Sequence, residues 1–372
     1  MRFFAAAAKG TEGALRDELR ELGLQKIQAD RGGVHFEGPL GDGVRACYES
    51  RIAVRVQTPL ATFEAPTGDA LYEGVRSVDW SPWLTERHTL AISASCRSGA
   101  LTHTQFIAQR SKDAIVDQLR EKRGHRPSVD LDDPDIRVFV HIVQDRATVY
   151  LDLSGAPLYQ RGYRVAGVEA PLKETLAAAV LRLSGWDRRS PLVDPMCGSG
   201  TFLLEAALWA ARVPAGALRK RFGFERWACH GDAERAAMAR LRREGRERRA
   251  PSAPFLMGSD IEERSVEIAR ESAAIAGVRA SWFCRPLSEL KPLRQPGWLV
   301  TNPPYGHRLA LQPGLVAEFS AVARGLAGST ITLLAAGEEW ARVFPFRPDR
   351  EQTLYNGDIP CRLTCTSIRG GR

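Results

Sequence analysis

At 372 residues the chain exceeds one average domain and suits two or more. A hydrophobic content of 44% with 26% charged residues is that of an ordinary folded protein and excludes a disordered or fibrous chain. The net charge of +8 permits a polyanionic partner, but it is unevenly spread: residues 1–160 hold 20 Lys and Arg against 22 Asp and Glu, whereas residues 212–254 hold 12 against 5.

The chain opens with an apolar stretch, residues 3–8, that stops at Lys9, too short for a secretory core. No later run approaches the ~20 apolar residues of a membrane helix. Residues 2–7 read as a strand, and Ala14, Leu15, Leu19 and Leu22 give helical spacing that Gly23 ends. Short strands follow around Ile27 and at 34–36, with a turn at Gly32-Gly33, then a helix near 44–48. After the turn-rich Pro66-Thr67-Gly68 come helix 71–78, strand 89–95, helix 104–120 and strands 136–142 and 147–153. Short strands mixed with helices, without regular alternation, predict an α+β layer.

From Pro171 the pattern changes. Helix 172–183, the short buried strand Leu192-Val193, helix 202–211, strand 255–257, helix 262–276, strand 298–300 and the run 330–335 alternate β with α. This predicts a doubly wound parallel sheet. The junction of the two halves lies near residues 155–167. The seven cysteines include no CxxC pair, and Cys361 and Cys365 share one face of a predicted strand, which reads as reduced core thiols rather than zinc or a disulfide.

Strand 192–193 feeds Asp194-Pro195-Met196-Cys197-Gly198-Ser199-Gly200-Thr201 and then a helix. Glycines let a backbone approach a ligand closely, and a helix amino terminus offers free N–H groups and positive potential. A dinucleotide loop wants a third glycine where Leu203 stands, and a phosphate loop wants a lysine after Gly200, where Thr201 stands. S-adenosylmethionine fits better: its carboxylate suits the N–H groups and its ammonium suits Asp194. A tight turn with no ligand is the plain alternative. Asp260 closes the next strand in Gly258-Ser259-Asp260, where an acid either binds ribose hydroxyls or caps the following helix. The wide separation of Asp194 and Asp260 is filled by the arginine-rich segment, which reads as a partly helical insertion beside the site. Its arginines, Arg240, Arg242, Arg243, Arg246, Arg248 and Arg249, serve either phosphate contact or a solvated helix face.

Asn302-Pro303-Pro304-Tyr305 follows strand 298–300, at the carboxyl end of a parallel strand, where ligands bind in such sheets. A ring-attached amine is flat and weakly nucleophilic. The Asn302 oxygen and the Pro303 carbonyl can accept its hydrogens as charge develops. Pro303 and Pro304 stiffen the loop, and Tyr305 can stack on the base. Glycine loop and tetrad in this order point to methyl transfer onto a nucleobase amine.

At this point the chain resembles the THUMP-domain class I RNA methyltransferases of guanine-N2 type, which act on 23S rRNA or tRNA. The resemblance is carried by Phe3-Phe4-Ala5, by Leu158-Tyr159-Gln160-Arg161-Gly162-Tyr163-Arg164, and by Ala170-Pro171-Leu172-Lys173-Glu174-Thr175-Leu176-Ala177. The two loops, Gly258-Ser259-Asp260-Ile261, and Asn356-Gly357-Asp358 through Cys361 complete it. It implies a ferredoxin-like region (1–60), a THUMP RNA-binding domain (61–157) and a Rossmann-like methyltransferase domain (158–372) with a basic insertion at about 212–254. It implies S-adenosyl-L-methionine as donor, structured RNA as partner with 23S rRNA favoured over tRNA, a cytoplasmic setting, and neither metal nor membrane. Asn302, Pro303, Pro304 and Tyr305 become the catalytic candidates. Residues 194–201, Asp260, Ile261 and Ser288 become the cofactor candidates. Related enzymes often hold the adenine amine with an acid after the third strand. Here that stretch is Cys284-Arg285-Pro286-Leu287-Ser288-Glu289, with no acid at the expected place. Two other readings stay open: adenine-N6 methylation, which the tetrad also permits, and a non-catalytic RNA-binding or assembly factor.

Overall fold

A computed structural model describes residues 1–124, 126–165, 172–250, 254–291, 295–304, 314–337, 339–340, 343–344 and 348–369. Its first half runs β1 (Arg2–Ala6), α1 (Glu12–Glu21), β2 (Gln25–Asp30), β3 (Gly33–Glu37), α2 (Leu40–Glu49), β4 (Arg55–Glu64) and α3 (Gly68–Arg76). It continues with β5 (Thr89–Arg97), α4 (Thr104–Arg123), β6 (Ser128–Val129), β7 (Ile136–Val143) and β8 (Arg146–Asp152). These strands form one eight-stranded sheet in the order β2-β3-β1-β4-β8-β7-β5-β6. Strict alternation in β7 buries Ile136, Val138, Val140 and Ile142 on one face, in a core shared with Leu15 and Leu19 of α1. Thr67 caps α3 by accepting from the Ala70 N–H at 3.2 Å.

The sequence patterning misses β4, as it does β6 and, in the second half, the strand Ser281–Cys284, the helix Leu315–Arg324 and the strand Arg350–Asn356. Pro59 interrupts β4, and proline in a strand reads as a breaker. The fold accommodates it by a register shift between Pro59 and Ala61 in the ladder with β8. Because β4 pairs with β1 on one side and β8 on the other, the sheet is continuous across residue 60.

The second half runs α5 (Glu174–Leu183), β9 (Leu192–Asp194), α6 (Thr201–Ala210), α7 (Asp232–Glu247), β10 (Leu256–Asp260), α8 (Glu263–Ala276) and β11 (Ser281–Cys284). Then come β12 (Trp298–Thr301), α9 (Leu315–Arg324), β13 (Thr330–Ala335), β14 (Arg350–Asn356) and β15 (Ile359–Ser367). The sheet order is β11-β10-β9-β12-β13-β15-β14. Its first five strands are parallel, as the alternating pattern predicts, and β15 and β14 add an antiparallel pair. Gly357, at φ +65°, and Asp358 form the two-residue turn between β14 and β15, so this motif first of all makes a hairpin. Cys361 and Cys365 of β15 are both buried. No helix among the described residues is long and apolar enough to cross a membrane.

The arginine-rich segment does not lie beside the glycine loop as its position in the sequence suggests. It leaves from the far end of α6, roughly 15 Å along the helix from the loop, and Phe222, Phe224, Trp227, Met238 and Leu241 enter the core of the first half. Arg219 donates to the carbonyls of Pro157, Gln160 and Ala156 at 2.7–2.9 Å, pinning the junction. The apolar residues of the segment, not its charge, determine where it goes.

A buried ionic network joins the two halves. Glu205 of α6 accepts from Tyr163 Oη at 2.9 Å and Arg161 Nε at 3.3 Å, and Arg51 Nη1 lies 3.7 Å away. Arg161 also donates to the Arg51 carbonyl. On a second front Arg182 of α5 pairs with Glu21 of α1, and Lys9 Nζ sits 4.0 Å from the Tyr355 ring centre.

Candidate functional site

The site forms at the carboxyl ends of β9, β10, β11 and β12. Strand β9 is central, between β10 and β12, so its loop stands between the ends of both neighbours. Asp194, the last residue of β9, is buried. Its Oδ1 accepts from Thr301 Oγ1 at 2.7 Å and from the Met196 N–H at 3.2 Å. Burial pushes its carboxyl up to about 7, against these two hydrogen bonds, which favour the charged form.

The loop after Asp194 is fixed by its neighbour strand. The Cys197 N–H donates to the Ser259 carbonyl at 2.9 Å, and the Gly198 N–H donates to Asp260 Oδ2 at 2.8 Å. Gly198 and Gly200 take φ of +50° and +78°, left-handed conformations that L side chains rarely adopt. A Cβ on Gly198 would meet open space, whereas one on Gly200 would lie 2.6 Å from the Trp282 ring and 3.0 Å from Ala269 Cβ. The loop is thus open on one side and closed against α8 and β11 on the other. Gly200 starts α6, while Ser199 and Thr201 are buried. Burial pushes the Cys197 thiol well above its ordinary value, so it stays neutral.

Asp260 closes β10. Besides Gly198 it accepts from the Glu262 N–H at 3.0 Å through Oδ1, so it supports the start of α8 while facing the glycine loop. Burial raises its pKa. Ile261 beside it is 62% exposed, a large apolar side chain left uncovered at the rim. Ser288 is exposed, its N–H held by Glu318 of α9 at 2.6 Å.

Asn302 follows β12. Its Oδ1 is buried and has no hydrogen-bond partner among the described residues. A buried unpaired amide oxygen is costly and wants an N–H donor. Pro303 is buried and Pro304 half-buried. Tyr305 lies outside the described residues, as do Ala170 and Pro171. The two predicted loops therefore meet: Thr301, one residue before Asn302, is bonded to the first residue of the glycine loop.

Sequence reasoning gave Thr301 no role, although its place at a strand end before Asn302 was the available signal. It also gave none to Arg164. Arg164 Nε donates to Glu174 Oε1 at 2.9 Å and Nη2 to the Leu172 carbonyl at 2.9 Å, while Nη1 and Nη2 reach Ser199 Oγ at 3.4 Å and Thr201 Oγ1 at 3.3 Å. Arg164 braces the glycine loop from behind, using a buried carboxylate, Glu174, whose pKa burial raises. Lys173 is exposed, 5.3 Å from the Tyr159 ring centre, an ordinary surface lysine. Among the described residues no cluster of His, Cys, Asp or Glu could hold a metal ion.

Residues 161–364 match the model described as "RMKL-like, methyltransferase domain", which takes in both loops and every strand of the second sheet but its last few residues. The chain belongs to this methyltransferase family. Residues 66–152 match the THUMP domain and residues 2–57 the RlmL ferredoxin-like domain. The chain is 41% identical to a ribosomal RNA large subunit methyltransferase K/L of Syntrophotalea carbinolica, over 98% of this chain and 53% of that protein. It is 42% identical to the protein of the same name in Methylococcus capsulatus, over 97% of this chain and 50% of that one. The chain spans about half the length of these relatives. The crystal structure of SMU.472 complexed with SAH superposes with a TM-score of 0.88 at 29% identity, covering 100% of this chain and 99% of that one. The α/β methyltransferase fold and the preceding ferredoxin-like and THUMP regions are those that the resemblance implied.

Proposed function

We propose that this chain methylates the exocyclic N2 amine of a guanosine in structured RNA, large-subunit 23S rRNA before tRNA, with S-adenosyl-L-methionine as donor. The observation that carries the reading is Asn302 Oδ1, buried and without a partner among the described residues, one residue beyond the Thr301–Asp194 bond that joins the two loops. The relatives named for large-subunit rRNA and the SAH in the SMU.472 structure support it.

The residues fit such a donor. Backbone from Pro195 to Thr201 offers the left-handed, open-sided cradle at Gly198, and Asp260 stands against it with a carboxylate suited to ribose hydroxyls. Asp194 supplies an anion facing a cationic ligand, and Ile261 an apolar surface beside Asp260. The bound donor supplies an electrophilic methyl group. Asn302 Oδ1 accepts an amine hydrogen, drawing the nitrogen lone pair out of the ring, while Pro303 and Pro304 hold that oxygen in place. Tyr305 stacks on the guanine, which is turned out of its helix to reach the site. The methylated nitrogen then releases one of its two hydrogens as a proton to water, so no general base with a perturbed pKa is needed for this step.

The division into residues 1–60, 61–157 and 158–372, with RNA docked by the first two parts and the reaction in cytoplasm, belongs to the same proposal. The test is nucleoside analysis by mass spectrometry after incubating the chain with unmethylated ribosomal RNA and isotopically labelled donor. N2-methylguanosine is expected. N6-methyladenosine would replace the reading by the adenine alternative, and no labelled nucleoside, with the donor still bound, would leave an RNA-binding factor.

A further inference from the structure

Arg285 follows β11, in the stretch 284–289 where the sequence offers no acid at the expected place, and its guanidinium has few partners among the described residues. The Arg285 N–H donates to the Asp260 carbonyl at 2.9 Å, which fixes this residue beside the proposed ribose anchor. Its guanidinium lies over the Phe283 ring, 4.8 Å from the centre. Its Nη2 donates to the Met257 sulfur at 3.4 Å, a weak acceptor. Nε is buried and has no hydrogen-bond partner among the described residues. A buried charged donor without an acceptor is rare in a folded protein and calls for a ligand. Ser288, the sequence-based candidate for the same task, is exposed and has its N–H engaged by Glu318.

We infer that Arg285 reads the adenine ring of the methyl donor as a hydrogen-bond donor to a ring nitrogen, reversing the polarity of the acid-to-amine contact. The inference rests on the proposed donor reading. A guanidinium can only donate, so it cannot pair with the 6-amino group of adenine. It pairs with ring nitrogens, and equally with a 6-oxo group. An acid at this place would do the opposite, holding the amine and rejecting the oxo form. The base attached to a ribose at Asp260 lies within a ring's width of Arg285, because the two residues are bonded through their backbones. Phe283, 43% exposed, offers an apolar edge to the same ring.

The experiment is calorimetric titration of the full chain with S-adenosyl-L-homocysteine and with its 6-oxo counterpart, S-inosyl-L-homocysteine. The unaltered chain is expected to bind the two within about tenfold of each other. Arg285→Met is expected to weaken both by about tenfold or more, and Arg285→Asp to reject the 6-oxo compound by about tenfold to a hundredfold relative to the adenine one. A preference of the unaltered chain for adenine greater than tenfold overturns the inference, as does an Arg285→Met variant that binds both as before. If Arg285→Met fails to fold by thermal unfolding, Arg285→Lys takes its place, with a smaller loss for both compounds expected and no loss refuting. Should the unaltered chain bind neither compound, the donor reading itself falls; every other adverse result removes the role of Arg285 alone.

Discussion

Thr301 Oγ1 donates to Asp194 Oδ1 across 2.7 Å, and this bond ties the loop that begins at Asn302 to the glycine loop through the ends of two adjacent parallel strands. The acceptor is an unusual carboxylate. Burial lifts it from its ordinary 3.8 to about 7, so near neutrality it is only half ionised in the ligand-free protein.

Stability follows from that shift with a definite sign. The folded state holds the Asp194 proton more tightly than the unfolded chain, so between about pH 4 and pH 7 each rise in pH costs the folded state, at up to ~1.4 kcal/mol per unit. The contribution is whole below the unfolded value and lost once pH passes about 7. Urea unfolding at pH 5 and pH 8 should show the ligand-free chain losing stability at the higher pH, and Asp194→Asn should shrink that loss. A cationic ligand favours the carboxylate, so donor binding near pH 6 should release protons. Calorimetry in two buffers of different ionisation enthalpy reads this directly.

Asn302→Ala should slow the chemical step by roughly 10²–10³-fold, the range found when one oxyanion-type partner is removed. Its oxygen has no partner among the described residues, so its removal breaks no bond there and should leave folding intact. Single-turnover kinetics separates this from RNA affinity. Tyr305→Ala should likewise lose turnover while S-adenosyl-L-homocysteine binding persists; loss of that binding instead would contradict a stacking role.

Gly200→Ala tests the glycine loop by geometry. At φ +78° an alanine is strained, and its Cβ would lie 2.6 Å from Trp282. A cost of about 1–3 kcal/mol is expected, read as a lower urea midpoint, together with weakened donor binding because the loop must shift. Gly198→Ala meets open space and carries the backbone strain alone. It should be the milder change for stability, yet should still harm binding if the open side of the loop is where the ligand sits.

Much of the order of elements in the second half followed from its alternating pattern, because its short apolar runs are buried parallel strands and its periodic runs amphipathic helices; α9, β14 and the half-buried to exposed β11 were not read. The glycine loop and the tetrad could be placed at strand ends for the same reason. What sequence spacing does not carry is partnership across the chain. Thr301 and Asp194 are 107 positions apart, and nothing local marks them as bonded. Strand β4 was hidden by Pro59, whose missing N–H the bulge absorbs. The arginine-rich segment was judged by its charge, but Phe222, Phe224 and Trp227 decide its course.

Glu205 is the keystone of the seam, accepting from Arg161 and Tyr163 with Arg51 alongside, all buried. Removing one member of a buried ionic cluster leaves the others uncompensated, which typically costs ~3–5 kcal/mol. Glu205→Ala should therefore destabilise the whole chain severely, and Glu205→Gln less, since it keeps an acceptor for the Tyr163 hydroxyl. Because Glu205 lies on the helix that begins at the glycine loop, a folded Glu205→Gln variant should also show weaker donor binding. Hydrogen exchange of α6 would reveal whether the loss comes from a loosened helix.

The arginines of α7 yield a prediction opposite to what their number suggests. Arg240 pairs with Glu244 and Arg243 with Glu247, each four positions on along the same helix, while Arg242 reaches Glu225 and Arg248 reaches Glu49. A cation already opposite a carboxylate gains less from a phosphate, because bringing RNA close also brings its charge toward the acid. Each true phosphate contact in a duplex contributes about −0.9 to the slope of log affinity against log salt. Arg240→Gln with Arg243→Gln should therefore leave that slope for ribosomal RNA binding unchanged, whereas a drop of about two would show that both arginines leave their carboxylates for RNA. The same pair of changes removes only exposed ion pairs, each worth little, so the urea midpoint should hardly move and a changed slope could not be blamed on unfolding.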